Sequence, residues 1–170
     1  MKVHIATDHA GFELKEKVKQ FLKDKGYEVE DSGAFTFDKN DDYPDYISKA
    51  AKKVSEDTQS RGIIFGSSGQ GEAIVANKFA NVRCVLYYGQ AVPIKSADIS
   101  GRESHDPYEM IRLTREHNNA NMLSIGASFV SLEEACHIIK LWLDTPFPSE
   151  ERHTRRINKI LRLEKEMSNV

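Results

Sequence analysis

Five short apolar runs, most of them followed by a stretch with helical spacing, constrain this chain more than any other feature. Lys2–Thr7 ends in a polar switch, and residues 10–25 then carry Phe12, Leu14, Val18, Phe21 and Leu22 before Gly26 stops the helix. Tyr27–Glu30 alternates as a half-buried strand and passes through a polar loop into a helix with Tyr46, Ile47, Ala50, Ala51 and Val54 inward. Gly62–Phe65 is the third strand, leading into a glycine-rich turn and a helix over about 70–80, and Arg83–Tyr88 is the fourth. Residues 89–106 then lose all apolar period and read as a long loop, of the kind that is uncommon in compact domains unless it works as a lid or an excursion. A helix from about Pro107 to Glu116, a fifth strand at Met122–Ile125 and a helix over Leu132–Leu143 follow. Pro146 and Pro148 end that helix, and Ser149 can cap a last, highly charged one at about 149–166.

Parallel neighbours need crossover connections, and right-handed crossovers put helices on both faces of the sheet. The pattern therefore predicts an α/β fold: a three-layer α/β/α sandwich with a five-stranded parallel sheet, Rossmann-like, plus an extended C-terminal helix. A length of 170 residues suits one domain over 1–170. With 24 basic against 26 acidic residues and a net charge of −2, no global field favours nucleic acid or an anionic membrane, so any anion site must be local. The chain opens directly on a strand-like run, with no apolar stretch long enough for a signal peptide or a membrane span, and a cytoplasmic location is expected. Cys84 and Cys136 lack metal or redox spacing and are expected to be buried free thiols.

Ligands of such sheets collect at the carboxyl ends of the strands. After the first strand comes Thr7-Asp8-His9-Ala10-Gly11, and after the third Gly66-Ser67-Ser68-Gly69-Gln70-Gly71-Glu72. The second segment has the outer glycine spacing of a phosphate loop, but the lysine of that loop is replaced by Glu72, which disfavours a nucleotide triphosphatase. Glu116–Asn121 precedes the fifth strand and so belongs to the opposite end of the sheet, from where a helix C-terminus could bring it toward a neighbouring molecule.

Five ordered blocks, ATDHAGFELK, DYPDY, GSSGQGEAIVANK, REHNNANMLSIG and ERHTRRI, resemble the ribose-5-phosphate isomerase B family of sugar-phosphate isomerases, which includes enzymes for allose and galactose 6-phosphates. The resemblance covers nearly the whole chain apart from 89–106. It implies an aldose–ketose isomerase without metal or organic cofactor, acting on a small phosphorylated sugar. It also implies a homodimer with active sites at the interface, which could pair further. Some members carry the base as glutamate at the position of Glu72, others as cysteine at the position of Gly66; this chain is of the glutamate type. By the resemblance, Ser68 shuttles protons between substrate oxygens, and Asp8 and His117 form the ring-opening and hydroxyl-binding pair. Asn118 and Tyr43 line the site, and the backbone of Gly66, Ser67, Gly69, Gln70 and Gly71 faces the enediolate. Arg152 and Arg156, four apart on one helical face, bind the phosphate with His9.

Two departures qualify the match. A further phosphate-binding arginine of the family aligns with Ser128, and the loop at 89–106 is longer than in comparable members. Arg102, Lys95 or His105 is a candidate to restore the missing charge, or the loop reshapes the pocket for a longer sugar. The leading reading interconverts ribose 5-phosphate and ribulose 5-phosphate. The alternatives are a 6-phosphohexose isomerase or a non-catalytic sugar-phosphate sensor.

Overall fold

The computed structural model describes residues 1–167; positions 168–170, the end of the 1–170 domain read from the sequence, lie outside the described residues. Five parallel strands form one sheet in the order β2-β1-β3-β5-β4. They are β1 (Lys2–Thr7), β2 (Glu28–Asp31), β3 (Arg61–Gly66), β4 (Cys84–Tyr87) and β5 (Met122–Gly126). The helices are α1 (Phe12–Asp24), α2 (Pro44–Glu56), α3 (Gln70–Ala76), α4 (Glu109–Asn118), α5 (Leu132–Asp144) and α6 (Glu151–Met167).

Alternating side chains of the buried strands feed two cores. Val3, Ile5, Ile63, Phe65, Leu123 and Ile125 pack with Val18 and Leu22 of α1, Ile111 of α4 and Ile138, Ile139 and Trp142 of α5. On the other face, Ala6, Ile64 and Met122 pack with Ile47, Ala50, Ala51 and Val54 of α2 and Ala76 of α3. Both faces of β1 and β3 are thus covered, which is why β3 reads Gly-Ile-Ile-Phe without polar alternation and why His4 and Thr7 of β1 are buried with its apolar residues. Because the chain steps outward to β2 after β1 and then returns to place β3 on the other side of β1, the β1/β3 boundary is the switch point of the sheet.

Several boundaries differ from the sequence reading, each for a local reason. The helix after β3 stops at Ala76 rather than near 80, because the Asn77 side chain accepts from Cys84 N at 2.8 Å and donates to Cys84 O at 2.9 Å, drawing the chain straight into β4. The next helix starts at Glu109 rather than 107, since Asp106 Oδ1 takes the Tyr108 amide in a turn ahead of it. Ser149 does not occupy the capping position: its backbone is left-handed (φ 57°), and the Glu150 carbonyl accepts the His153 and Thr154 amides that open α6. Cys84 is buried as expected, whereas Cys136 is only partly buried on α5; burial pushes both thiols above their ordinary range.

The segment 89–106 forms no helix or strand, as read from the sequence. It is closed by Ala91 N donating to Pro107 O and Ala97 N to Arg102 O, at 3.1 and 2.8 Å. No helix among the described residues is long and apolar enough to cross a membrane.

Candidate active site

The loop from Gly66 to Gly71 leaves β3 at the switch point and stays tied to the sheet. Ala127 N donates to Gly66 O and Ser128 N to Ser67 O, extending the β3–β5 ladder past the strands at 2.8 and 3.0 Å. The Ser67 and Ser128 hydroxyls meet at 3.0 Å, and buried Ser124 Oγ donates to Gly69 O at 2.6 Å. Gly69 itself sits at φ 75° against Leu86 and Gly126, a conformation and a spacing that exclude a side chain. Ser67 and Gln70 are exposed and Ser68 half-buried, with Ser68 Oγ accepting the Gln70 amide at 3.4 Å. Ser128, aligned with the family arginine, therefore packs against this loop from the turn after β5 and offers it a small hydroxyl.

Glu72, in the first turn of α3, is 5% exposed. Its carboxylate turns back into the space that a side chain at Gly66 would occupy: a Cβ there would collide with Glu72 Oε1, Cδ and Oε2. Residue 66 can hold a side chain or residue 72 can place a carboxylate here, but not both. Burial drives the Glu72 carboxyl above the usual carboxylate range; its own backbone N–H opposes this, and the charge of Asp8 adds to it. Desolvation thus outweighs the donors, a contest that composition and spacing left open.

Asp8 directly follows β1 and is buried, and its Oδ1 accepts the Ala10 amide at 2.9 Å, opening a short 3-10 turn over His9–Gly11. Asp8 is therefore a cap as well as a carboxylate beside Glu72. His9 turns toward Asp41, whose Oδ1 accepts both the His9 backbone N–H at 3.0 Å and the ring Nδ1 at 2.7 Å. Asp8, His9 and Asp41 bring three possible metal-ligating atoms within 4.8 Å of one another. Since Oδ1 of a carboxylate only accepts, Nδ1 must carry a proton on Asp41, and the group is more readily an acid–imidazole pair than a metal cage. Asp41 gave no motif signal, because 32 positions separate it from His9. Tyr43 lies against Gly71, where a Cβ would come within 2.7 Å of the ring.

The remaining expected residues lie at the other end of the sheet. His117 and Asn118 close α4, four residues ahead of β5, and the Asn118 carbonyl accepts from Arg83 at the entry to β4. The His117 ring stacks on His153 of α6 with centroids 4.2 Å apart, and Arg152 Nε donates to His153 Nε2 at 3.0 Å. Burial, then His117 and Arg152, push the His153 imidazole below its ordinary range, so a neutral ring accepts from the guanidinium. Arg156 is exposed one turn further on. Strands of five to six residues separate this cluster from Glu72 by roughly 17–20 Å, more than one small sugar phosphate can bridge. Within one copy of the chain the expected residues therefore fall into two clusters, at opposite ends of the sheet.

Arg102 is not available as a replacement cation. Its guanidinium is committed to Asp98, Glu109 and Glu116, at 3.2, 2.8 and 2.9 Å, and fastens the 89–106 loop to α4.

Fold and site together define a Rossmann-like α/β protein with acid–base groups gathered over the switch point of its sheet. A family profile described as Ribose/Galactose Isomerase matches residues 3–97 and 95–160. A ribose-5-phosphate isomerase B from Mycobacterium leprae is 36% identical over 97% of this chain and 91% of its own length. The crystal structure of ribose-5-phosphate isomerase B from Mycoplasma genitalium with bound ribulose-5-phosphate superposes with a TM-score of 0.83, at 34% identity over 97% of both chains. The solved structure of the Clostridium thermocellum ribose-5-phosphate isomerase B gives 0.82, at 35% identity over 98% of this chain and 99% of the other. The chain belongs to the ribose/galactose isomerase family.

Proposed function

We propose that this chain is an aldose–ketose isomerase that interconverts ribose 5-phosphate and ribulose 5-phosphate, with Glu72 as the base. The observation that carries the reading is the Glu72 carboxylate, desolvated in the cradle left by Gly66 at the end of β3. A base for C–H abstraction works best with a pKa lifted toward the working pH, and burial lifts this one. Likeness to enzymes named for this substrate, over almost the full chain, supports the sugar.

In the forward direction, ring opening exposes the C1 aldehyde, with Asp8 and His117 as the acid–base pair. Glu72 removes the C2 proton, and the electron pair moves through the C1–C2 bond onto O1 to give an enediolate. The backbone N–H groups between Ser67 and Gly71 offer that oxygen fixed donors, each worth about 3–4 kcal/mol in such sites. Glu72 returns the proton to C1, while the proton on O2 passes to O1 by way of Ser68, leaving the ketone. Asn118 and Tyr43 hold sugar oxygens, and Arg152, Arg156 and His9 hold the phosphate. Because the two half-sites of one copy are too far apart, we infer a homodimer in which His117, Asn118, Arg152 and Arg156 of one copy complete the Glu72 site of the other.

The test is incubation with a panel of pentose and hexose phosphates in deuterated water, following ketose formation and C2 deuterium by NMR. Turnover and exchange with ribose 5-phosphate are expected. Turnover of a 6-phosphohexose alone would reassign the substrate, and binding without exchange would leave a sensor.

A further inference from the structure

Asp41 stands out from the other groups around the switch point. Its side chain is 6% exposed, and its Oδ2 is buried with no hydrogen-bond partner among the described residues. An orphaned carboxylate oxygen is costly, so its retention calls for work done by the other oxygen. That other oxygen holds His9 twice, at backbone and ring. The far side of the ring is open: the His9 side chain is 35% exposed and borders a cleft of about 340 Å³ that Lys17, Glu13, Phe37 and Ala127 also line.

We propose that Asp41 is a positioning residue for phosphate recognition: it fixes the His9 imidazole through Nδ1–H and the main-chain N–H, leaving Nε2–H to donate to a phosphate oxygen. This rests on His9 as a phosphate anchor in the function proposed above. The charges facing the ring are Asp41 from the loop before α2, Asp8 from the turn after β1, and Glu13 and Lys17 from α1. The hydrogen bond to Asp41, followed by the charge of Asp8, raises His9 above the ordinary histidine range against a smaller opposing effect of desolvation. The imidazolium is then present below that raised value and is lost as pH climbs through it. Without the Asp41 charge the loss moves to lower pH.

Two measurements test this. Ring-nitrogen NMR of the wild-type protein should show His9 titrating above the ordinary imidazole value, and inorganic phosphate should raise it further. A His9 that titrates at or below that value, or ignores phosphate, overturns the proposal without any variant. In Asp41→Asn, which keeps the volume and removes the charge, KM for ribose 5-phosphate should rise roughly tenfold more than wild type between about pH 6 and pH 8, with kcat within about threefold. A KM profile parallel to wild type overturns it. Failure of the isomerase reading looks different: wild type would turn over no ribose 5-phosphate, while the His9 titration would still decide the role of Asp41.

Discussion

The two ends of the sheet are built on opposite electrostatic principles. At the carboxyl end, Asp8 and Glu72 are buried carboxylates gathered over a glycine loop, and Glu72 is held closer to its protonated form. At the amino end, Arg152 and Arg156 flank a histidine kept neutral, on a helix that packs across the end of α4. One end gathers carboxylates able to exchange a proton; the other gathers guanidinium groups able to hold an anion. The difference teaches that the buried carboxylates and the guanidinium groups of this chain sit at opposite ends of one sheet, and in the proposed homodimer each site takes its base from one copy and its anion anchors from the other.

The largest expected effect breaks the carboxyl end alone. Glu72→Gln should lower kcat by about 10²–10⁴-fold and abolish C2 deuterium exchange, with substrate affinity changed only a few-fold; activity within tenfold of wild type would remove Glu72 as the base. The same substitution removes a carboxyl whose pKa is raised by folding. That group binds its proton more tightly when folded, so its ionisation costs stability as pH rises, and the variant should melt higher than wild type at neutral pH and lose this advantage in acid. In wild type, kcat/KM should fall on acidification with an apparent pKa above the ordinary glutamate range.

Next in size is Gly66→Ala, which leaves the base in the chain but denies it its seat. The new methyl meets the Glu72 carboxylate, and kcat should fall by roughly 10²-fold, the cost of a misplaced catalytic group. A crystal structure of the variant with Glu72 still over residue 66 would contradict the steric argument.

Breaking the amino end should read out differently. Arg156→Ala should raise KM for ribose 5-phosphate by about 10–100-fold, the worth of a charge-assisted bond to phosphate, with a smaller loss in kcat. If the half-sites join across copies, mixing Glu72→Gln with Arg156→Ala after denaturation and refolding should give, at substrate well below the KM of Arg156→Ala, more activity than either variant alone, since mixed dimers contain one intact site. No recovery would place both functions within one copy.

The smallest effect sharpens the contrast with the 89–106 loop. Arg102→Ala removes one partner of buried Glu109 and should cost about 1–2 kcal/mol of stability, measured by urea denaturation, while leaving KM within about twofold. A strong rise in KM would restore Arg102 to the phosphate site.

The strand and helix order was legible because periodicity records which side of an element is buried, and burial is decided locally by residue type. Ile63, Ile64 and Phe65 in succession announce a strand covered on both faces, and Ala135, Ile138, Ile139 and Trp142 announce the inner stripe of α5. Glu72 was legible too, as a charge that a glycine turn had no structural need for. Four things were not. The seat of its carboxylate depends on the empty face of Gly66, six residues earlier and on another element. The direction of its pKa depends on whether burial or backbone donors prevail, and only the packed loop settles that balance. Asp41 meets His9 because the loop before α2 folds back over β1, and the engagement of Arg102 depends on where α4 lies. Sequence by itself determined the architecture and the types of group available, because pattern and composition are properties of neighbours along the chain. The tertiary structure alone decided which groups face one another, since desolvation, close approach and ion pairing arise between residues that are distant in sequence and adjacent in space.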